Sequence, residues 1–184
     1  TLMTNKDMCP IFPPLDAKHK ITFGTDGIRG KVGKILTPDL AFQLGYWSGL
    51  ELNKEGPIII GQDSRNSGNM ISKALTEGLI EAGREVWLIG LCPTPAIPHL
   101  IKTLKASGGL MISASHNPPE DNGIKIFNSI GDKISTKKQL LIESKLHSEW
   151  INKSVICKPN NCGKSYMRGE LLHSYQEKLL ASVK

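Results

Sequence analysis

The sequence predicts an α/β fold, a layered α/β/α domain around a mixed, largely parallel sheet. Three observations carry that expectation. Short apolar runs alternate with segments of helical periodicity between residues 20 and 130. Runs such as Pro57-Ile58-Ile59-Ile60-Gly61 and Gly108-Gly109-Leu110-Met111-Ile112 are continuously apolar, as in strands covered on both faces. Three polar loops, 24–30, 61–68 and 113–123, follow strands directly. Ligands in such sheets gather beyond the carboxyl ends of the strands, so the three loops are expected to share one site.

Taken in order, residues 1–20 are irregular and Pro-rich, with Pro10, Pro13 and Pro14, and read as a leader. Lys20-Ile21-Thr22-Phe23 reads as a short strand entering the loop Gly24-Thr25-Asp26-Gly27-Ile28-Arg29-Gly30. Thr37, Pro38 and Asp39 form a helix start: a capping hydroxyl, a proline at the first position, and an acid near the positive end of the dipole. Leu40, Leu44 and Trp47 follow at helical spacing and predict a helix over 37–54. The run 57–61 is the next strand. Met70, Ala74, Leu75 and Leu79 predict a helix over 67–82, with Gly83 as its C-terminal stop. Residues 85–90 are a strand, Pro93 opens a helix to about Lys105, and 108–113 and 123–127 are strands. Ser135 to Trp150 is helical, and Glu170 to Leu180 is a further helix after a turn over 157–163.

Bulk properties narrow the function classes. The 184 residues carry a net charge of +6, with 39% hydrophobic and 22% charged residues, as in a globular protein. Residues 1–130 hold 13 basic and 12 acidic side chains, and residues 131–184 hold 10 and 5. The basic excess thus belongs to the tail, where it is scattered and poor in aromatics. A solvated face is expected, and no nucleic-acid partner. No apolar run reaches the ~20 residues that span a bilayer, and the first residues lack a signal-peptide core. No membrane partner and a cytoplasmic setting are expected. Cys9, Cys92, Cys157 and Cys162 are irregularly spaced. The group Cys157, Cys162, His147 and His173 misses the usual zinc spacings, so reduced, non-ligand cysteines are expected.

The chemistry-bearing stretch is Ser113-Ala114-Ser115-His116-Asn117-Pro118, followed by Asp121-Asn122-Gly123-Ile124-Lys125. A serine hydroxyl needs help to act as a nucleophile, and phosphoryl transfer needs positioning and positive charge around the phosphoryl oxygens. Ser115 lies just past a buried strand. His116 can hydrogen-bond phosphate, Lys125 can neutralise charge or relay a proton, and Arg29 has the fork for bidentate phosphate contact. The bland alternatives stand beside these. Ser, Asn and Pro form ordinary turns. His116 can be a structural histidine, and Lys125 a solvent-facing residue of an edge strand. Arg29 and Arg65 can pair locally with Asp26 and Asp63. No Gly-x-Ser-x-Gly surrounds Ser115 and no Walker-type loop occurs.

Three segments together resemble the α-D-phosphohexomutase superfamily. They are Phe23 to Gly30 (FGTDGIRG), Ile60-Gly61-Gln62-Asp63-Ser64-Arg65, and Gly108 to Pro118 continuing through Asp121 to Lys125. The wording is most similar to the bacterial phosphoglucosamine mutase branch, and the resemblance covers 21–184. It implies that Ser115 carries the catalytic phosphoryl group and that one oxygen of that phosphoserine binds Mg²⁺. It implies catalytic roles for Ser115, Lys125, His116 and Arg29, with Lys125 as general acid/base. Arg29, His116, Asn117 and Lys125 are the implied phosphate-binding residues. The implied partner is a phosphosugar, with glucosamine 6-phosphate and glucosamine 1-phosphate interconverted through a bisphosphate.

The departures from the family matter equally. Gln62 stands where the family usually has Arg. Nothing like the family's Asp-Gly-Asp-x-Asp-Arg metal loop occurs in this sequence. The expectation is therefore domain I of a four-domain enzyme over 21–150, then a linker and the first helix of a truncated domain II over 151–184. The remaining Mg²⁺ ligands are expected in that second domain, and the chain alone is expected to have little or no turnover. A phosphomannomutase/phosphoglucomutase, and an inert homologue serving as a binding module, are the alternatives. The last helix is expected to expose Leu171, Leu172, Leu179 and Leu180 with no sheet to cover them, and so to favour self-association.

Overall fold

The computed structural model describes residues 10–16, 18, 20–152 and 163–183. Two strands, β1 (Pro10–Phe12) and β7 (Ile151–Asn152), pair antiparallel near the two ends of the main domain. The other strands are β2 (Ile28–Lys31), β3 (Ile58–Gln62), β4 (Val86–Leu91), β5 (Gly108–Ile112), β6 (Asp121–Phe127) and β8 (Ser165–Met167). They form one sheet in the order β2-β6-β5-β3-β4-β8. β5, β3, β4 and β8 run parallel, while β6 is antiparallel to both β5 and β2. The sheet is mixed and largely parallel, as the sequence predicts.

Among the described residues five α-helices pack around it. They are α1 (Pro38–Glu51), α2 (Gly68–Glu81), α3 (Ala96–Leu104), α4 (Thr136–Ser148) and α5 (Leu172–Ser182). Side-chain alternation along the strands sorts them into two layers. Ile58, Ile60, Leu110, Ile112, Ile124 and Ile126 point into the larger core with α1, α2 and α4. Ile59, Ile89 and Met111 point the other way, into a smaller core under α3. Right-handed crossovers explain the split. The chain moves one way across the sheet from β3 through α2 to β4, then back through α3 to β5, so the two helices fall on opposite faces.

The helix boundaries follow their chemistry. The Thr37 hydroxyl accepts from the Leu40 amide at 3.1 Å, and the Ser135 hydroxyl accepts from Lys138 at 3.3 Å, so both predicted starts are capped. Gly83 follows α2 with φ +78°. Helices α1 and α2 approach closely because glycines meet backbone. A Cβ on Gly45 would run into the Leu75 carbonyl, and one on Gly78 into the Phe42 carbonyl.

Several expectations need correction, beginning with residues 1–20, read as an irregular leader, which hold strand β1 at Pro10–Phe12. Residues 20–23 form no strand. Their amides are taken by side chains of α4 instead: Ile21 N–H donates to His147 Nε2 at 3.1 Å and Phe23 N–H to Glu143 Oε1 at 2.6 Å. The strand begins only at Ile28, so the last three residues of the predicted loop 24–30 belong to β2. β6 is flanked by β2 and β5, so Lys125 is not on an edge strand. Beyond residue 150, Ser165–Met167 adds a strand beside β4, unforeseen because its three residues are all exposed. Arg168 stacks on the Trp87 ring at 4.3 Å there. Leu171 and Leu172 are half-buried against the core under α3, while Leu179 and Leu180 are exposed. Cys92 is a buried free thiol, and Cys9, Cys157 and Cys162 lie outside the described residues. No described helix is long and apolar enough to cross a membrane.

Candidate active site

β3 has β4 on one side and β5 on the other, and β3 and β5 run parallel. The loops after β3 and β5 therefore leave the carboxyl ends of neighbouring strands side by side, the end of the sheet where open α/β folds place ligands. The first loop carries Asp63 and Arg65, and the second carries Ser113 to Pro118.

Ser115 sits at the exposed tip of the second loop with φ +55°, a left-handed backbone that only a few non-glycine residues adopt. Its amide donates to Ser113 Oγ at 3.1 Å, and the Ser113 amide donates to the Gly123 carbonyl at 2.9 Å. The loop is cross-tied within itself. The Asn117 amide donates to Ala114 O at 3.1 Å, Asn117 Nδ2 to Asp121 Oδ2 at 3.1 Å, and the Asp121 amide to Pro118 O at 3.0 Å. Asn122, fully buried, donates to Ser67 Oγ at 2.8 Å and accepts from the Gly123 amide at 2.8 Å. That ties the start of β6 to the cap of α2.

Arg65 reaches across from the neighbouring loop. Its Nη1 donates to Pro118 O at 2.6 Å and Asp121 O at 3.0 Å. Its Nη2 donates to Ser115 O at 2.9 Å and Asn117 O at 2.8 Å. Its Nε donates to Asp63 Oδ2 at 3.3 Å. The local pairing with Asp63 exists, but it orients a guanidinium whose main work is on the serine loop.

Arg29 and Lys125 stand beside this loop on adjacent strands. Arg29 pairs with Gly123 in the β2–β6 register, and Lys125 lies two residues further along β6. Residues two apart, and residues directly opposite, share a face, so both side chains leave the sheet on the α3 side. Gly123 leaves the room: a Cβ there would lie 2.8 Å from Arg29 Cγ. Asp26 is shared between the two cations, 3.7 Å from Arg29 Nη2 and 3.8 Å from Lys125 Nζ. Arg29 and Lys125 are 25% and 22% exposed, enough for their heads to meet solvent or a ligand. Gly27, at φ +90°, lets the Asp26 turn press on β6, since a Cβ would strike the Ile124 carbonyl. Lys133 holds the turn from outside, donating to Gly24 O at 3.0 Å and Thr25 O at 2.8 Å. A cavity of about 230 Å³ opens here, lined by Asp26, Lys125, Lys133 and Thr94 among others.

The structure thus brings Ser115, Arg29 and Lys125 to neighbouring strands and loops, with His116 exposed next to the serine. Asn117 spends its amide on Asp121 and its carbonyl on Arg65. The segment 24–30 does not follow a strand. It reaches the site as a turn ahead of β2, with Arg29 inside the strand. Gln62, where the resemblance calls for Arg, donates to Asn69 Oδ1 at 2.8 Å and stays out of the serine loop. Sequence reasoning overlooked Asn122, Lys133 and the reach of Arg65. Their partners are main-chain carbonyls or distant hydroxyls, which leave no pattern in the sequence.

Among the described residues, no group of three or more His, Cys, Asp or Glu side chains is placed to hold a metal ion.

Fold and loops together define an α/β/α domain that presents a serine and two cations at the end of the sheet where β3 and β5 finish. The description of the phosphoglucomutase/phosphomannomutase alpha/beta/alpha domain I matches residues 20–151, and the chain belongs to that family. It is 56% identical over 174 residues to a phosphoglucosamine mutase of Prochlorococcus marinus (strain MIT 9313), covering 95% of this chain and 37% of the relative. It is 54% identical over 161 residues to a phosphoglucosamine mutase of Parasynechococcus marenigrum (strain WH8102), covering 88% and 34%. The chain therefore spans little more than a third of the length of these curated relatives. A solved Thermus thermophilus structure assigned as a phosphomannomutase superposes with a TM-score of 0.73 at 30% identity, covering 89% of this chain and 36% of that one.

Proposed function

We propose that this chain is the phosphoserine-bearing part of a phosphoglucosamine mutase, which interconverts glucosamine 6-phosphate and glucosamine 1-phosphate. The observation that carries the proposal is Ser115 itself. It stands exposed in a left-handed turn at the carboxyl end of β5, with two cations on the adjoining strands. The names of the relatives supply the sugar.

The chemistry follows from positions. With a phosphoryl group on Ser115 Oγ, transfer breaks that P–O bond and forms a new one to a sugar hydroxyl oxygen. The hydroxyl loses its proton, and Ser115 Oγ leaves as a hydroxyl. Lys125 Nζ is assigned to that proton exchange. After the bisphosphate turns over in the site, its other phosphoryl group returns to Ser115. Arg29 and His116 steady the phosphoryl oxygens with charge and hydrogen bonds, the main contribution a protein can make to a loose phosphoryl transition state. Asp26 keeps Arg29 and Lys125 aligned between turnovers at 3.7 and 3.8 Å.

Mg²⁺, when bound, supplies charge neutralisation at the phosphoryl group. The described residues fit one ligand position for it, a phosphoryl oxygen on Ser115, and the other ligands have to come from elsewhere. Residues 21–150 are assigned as the phosphoserine domain, and residues 151–184 as the lead into a second one.

The test uses the complete gene product. Intact mass after incubation with a hexose 1,6-bisphosphate should show one added phosphoryl group, mapped to Ser115 and absent in Ser115→Ala. Glucosamine 6-phosphate should be converted, and Ser115→Ala should not convert it. Undiminished turnover in Ser115→Ala would overturn the assignment. Faster turnover of mannose or glucose 6-phosphate would move it to the phosphomannomutase/phosphoglucomutase alternative, which the Thermus neighbour favours.

A further inference from the structure

We propose that Arg65 is a positioning residue that holds Ser115 in its reactive orientation and contacts neither substrate nor phosphate. This rests on the assignment of Ser115 as phosphoryl carrier.

A guanidinium has five N–H donors. In Arg65 the Nε takes Asp63, Nη1 takes Pro118 O and Asp121 O, and Nη2 takes Ser115 O and Asn117 O. Every donor is engaged, so none is left for a ligand oxygen. The side chain is also largely covered, at 11% exposure. Arg29, by contrast, has only the 3.7 Å ion pair to Asp26 among its described partners. The two arginines therefore divide the work: Arg29 is available to phosphate and Arg65 is committed to backbone.

The four acceptors are not random. They are carbonyls at 115, 117, 118 and 121, which close the loop around one centre. Each charge-assisted bond is stronger than a neutral one, and the planar fork fixes direction as well as distance. The first acceptor belongs to the residue with φ +55°. A non-glycine residue in that region persists only where its surroundings over-determine it. Ser115 has two such restraints, the Arg65 bond to its carbonyl and the Ser113 hydroxyl on its amide at 3.1 Å. Asp63 completes the device. Its Oδ1 accepts from the Arg65 amide at 3.1 Å while Oδ2 accepts from Nε, which locks the side chain over the loop. The Asp63 amide donates to Ile112 O at 3.0 Å, which ties the two loops at their base. Lysine cannot substitute. It has three donors on a flexible stem and no fork to match four converging carbonyls.

The experiment compares Arg65→Lys and the milder Asp63→Asn with the parent, using the complete gene product. Misplacing a reacting group by about 1 Å costs on the order of 100-fold. Arg65→Lys should lower kcat and the rate of Ser115 phosphorylation by about that factor while KM for the phosphosugar stays within about twofold. Asp63→Asn should lie between the two. Amide exchange reads the loop without any turnover: the Asn117 and Asp121 amides should exchange at least about tenfold faster in Arg65→Lys, and those of Ile59 and Ile60 at the parental rate. A raised KM with parental kcat would make Arg65 a phosphate ligand and overturn the proposal. Parental kcat with fast exchange would make the clamp merely structural and overturn it equally. A parent that never takes a phosphoryl group at Ser115 would overturn the underlying assignment, and this proposal with it, in a visibly different way.

Discussion

Arg84 offers the sharpest test of how the sheet's supporting layer is held. It is 6% exposed and donates to three carbonyls at the carboxyl end of α1 and to one hydroxyl just ahead of β5. Nη1 reaches Gly49 O at 2.6 Å and Leu52 O at 3.3 Å, and Nη2 reaches Ser107 Oγ at 2.8 Å and the Asn53 carbonyl. Helix α1 has no basic residue in its own last turn, so Arg84 supplies both the hydrogen bonds and the charge that end needs. Burial lowers the pKa of the guanidinium without neutralising it. Arg84→Met keeps the stem and removes the donors. Asn53 is exposed and its carbonyl turns to water, and Ser107 Oγ keeps its bond to Pro57 O at 2.9 Å. Two buried carbonyls, Gly49 and Leu52, are stranded. At about 1–3 kcal/mol each, less the relief of no longer burying a charge, the loss is about 2–4 kcal/mol. Urea unfolding of the 184-residue chain, followed by circular dichroism, should show a lower midpoint with unchanged m. The apparent Tm should fall by about 4–16 °C for a chain of this size. Arg84→Lys should recover part of the loss. A loss below about 1 kcal/mol in Arg84→Met would refute the capping role.

Gly78→Ala should destabilise by about 1–3 kcal/mol in the same assay, because the added methyl meets the Phe42 carbonyl and α1 and α2 must separate. Asp26→Asn should change stability by less than about 1 kcal/mol, since Asp26 is 55% exposed and its pairs span 3.7 and 3.8 Å; its effect should appear in kcat/KM. Burial pushes the Cys92 thiol up to about 11 from an ordinary 9.0. Peptide mapping after iodoacetamide at pH 8 should find Cys92 unlabelled in the folded chain and labelled in urea. The folded state holds that proton more tightly than the unfolded one. The thiol therefore adds stability that is complete below about pH 9 and lost as pH rises toward 11, and Cys92→Ala should flatten the fall.

Much of this molecule was legible in its residues, for physical reasons. Ile58 to Ile60 and Gly108 to Ile112 are apolar on both faces, so they had to be central strands. Thr37-Pro38-Asp39 and Gly83 are local chemistry and mark helix ends wherever they occur. The serine motif is contiguous, so Ser115, His116 and Lys125 could be named before any fold was known. Residues 20–23 misled because their apolar character serves packing against α4, with side chains rather than a strand taking their amides. β8 was silent because an exposed edge strand of three residues needs no hydrophobic pattern.

The sequence by itself determined the layered α/β class, the order of the strands β3, β4, β5 and β6 with the helices between them, and the family to which the serine loop belongs. These depend on periodicity, caps and contiguous motifs, which are properties of neighbours in the chain. Only the tertiary structure decided that β6 runs between β2 and β5, which sets Arg29 and Lys125 on one face with Asp26 between them. Only the tertiary structure turned Arg65 from a partner of Asp63 into the centre of a carbonyl ring formed fifty and more positions later in the chain. Hydrogen bonds to main-chain carbonyls place no demand on the identity of the accepting residue, so no reading of residue types could have revealed them.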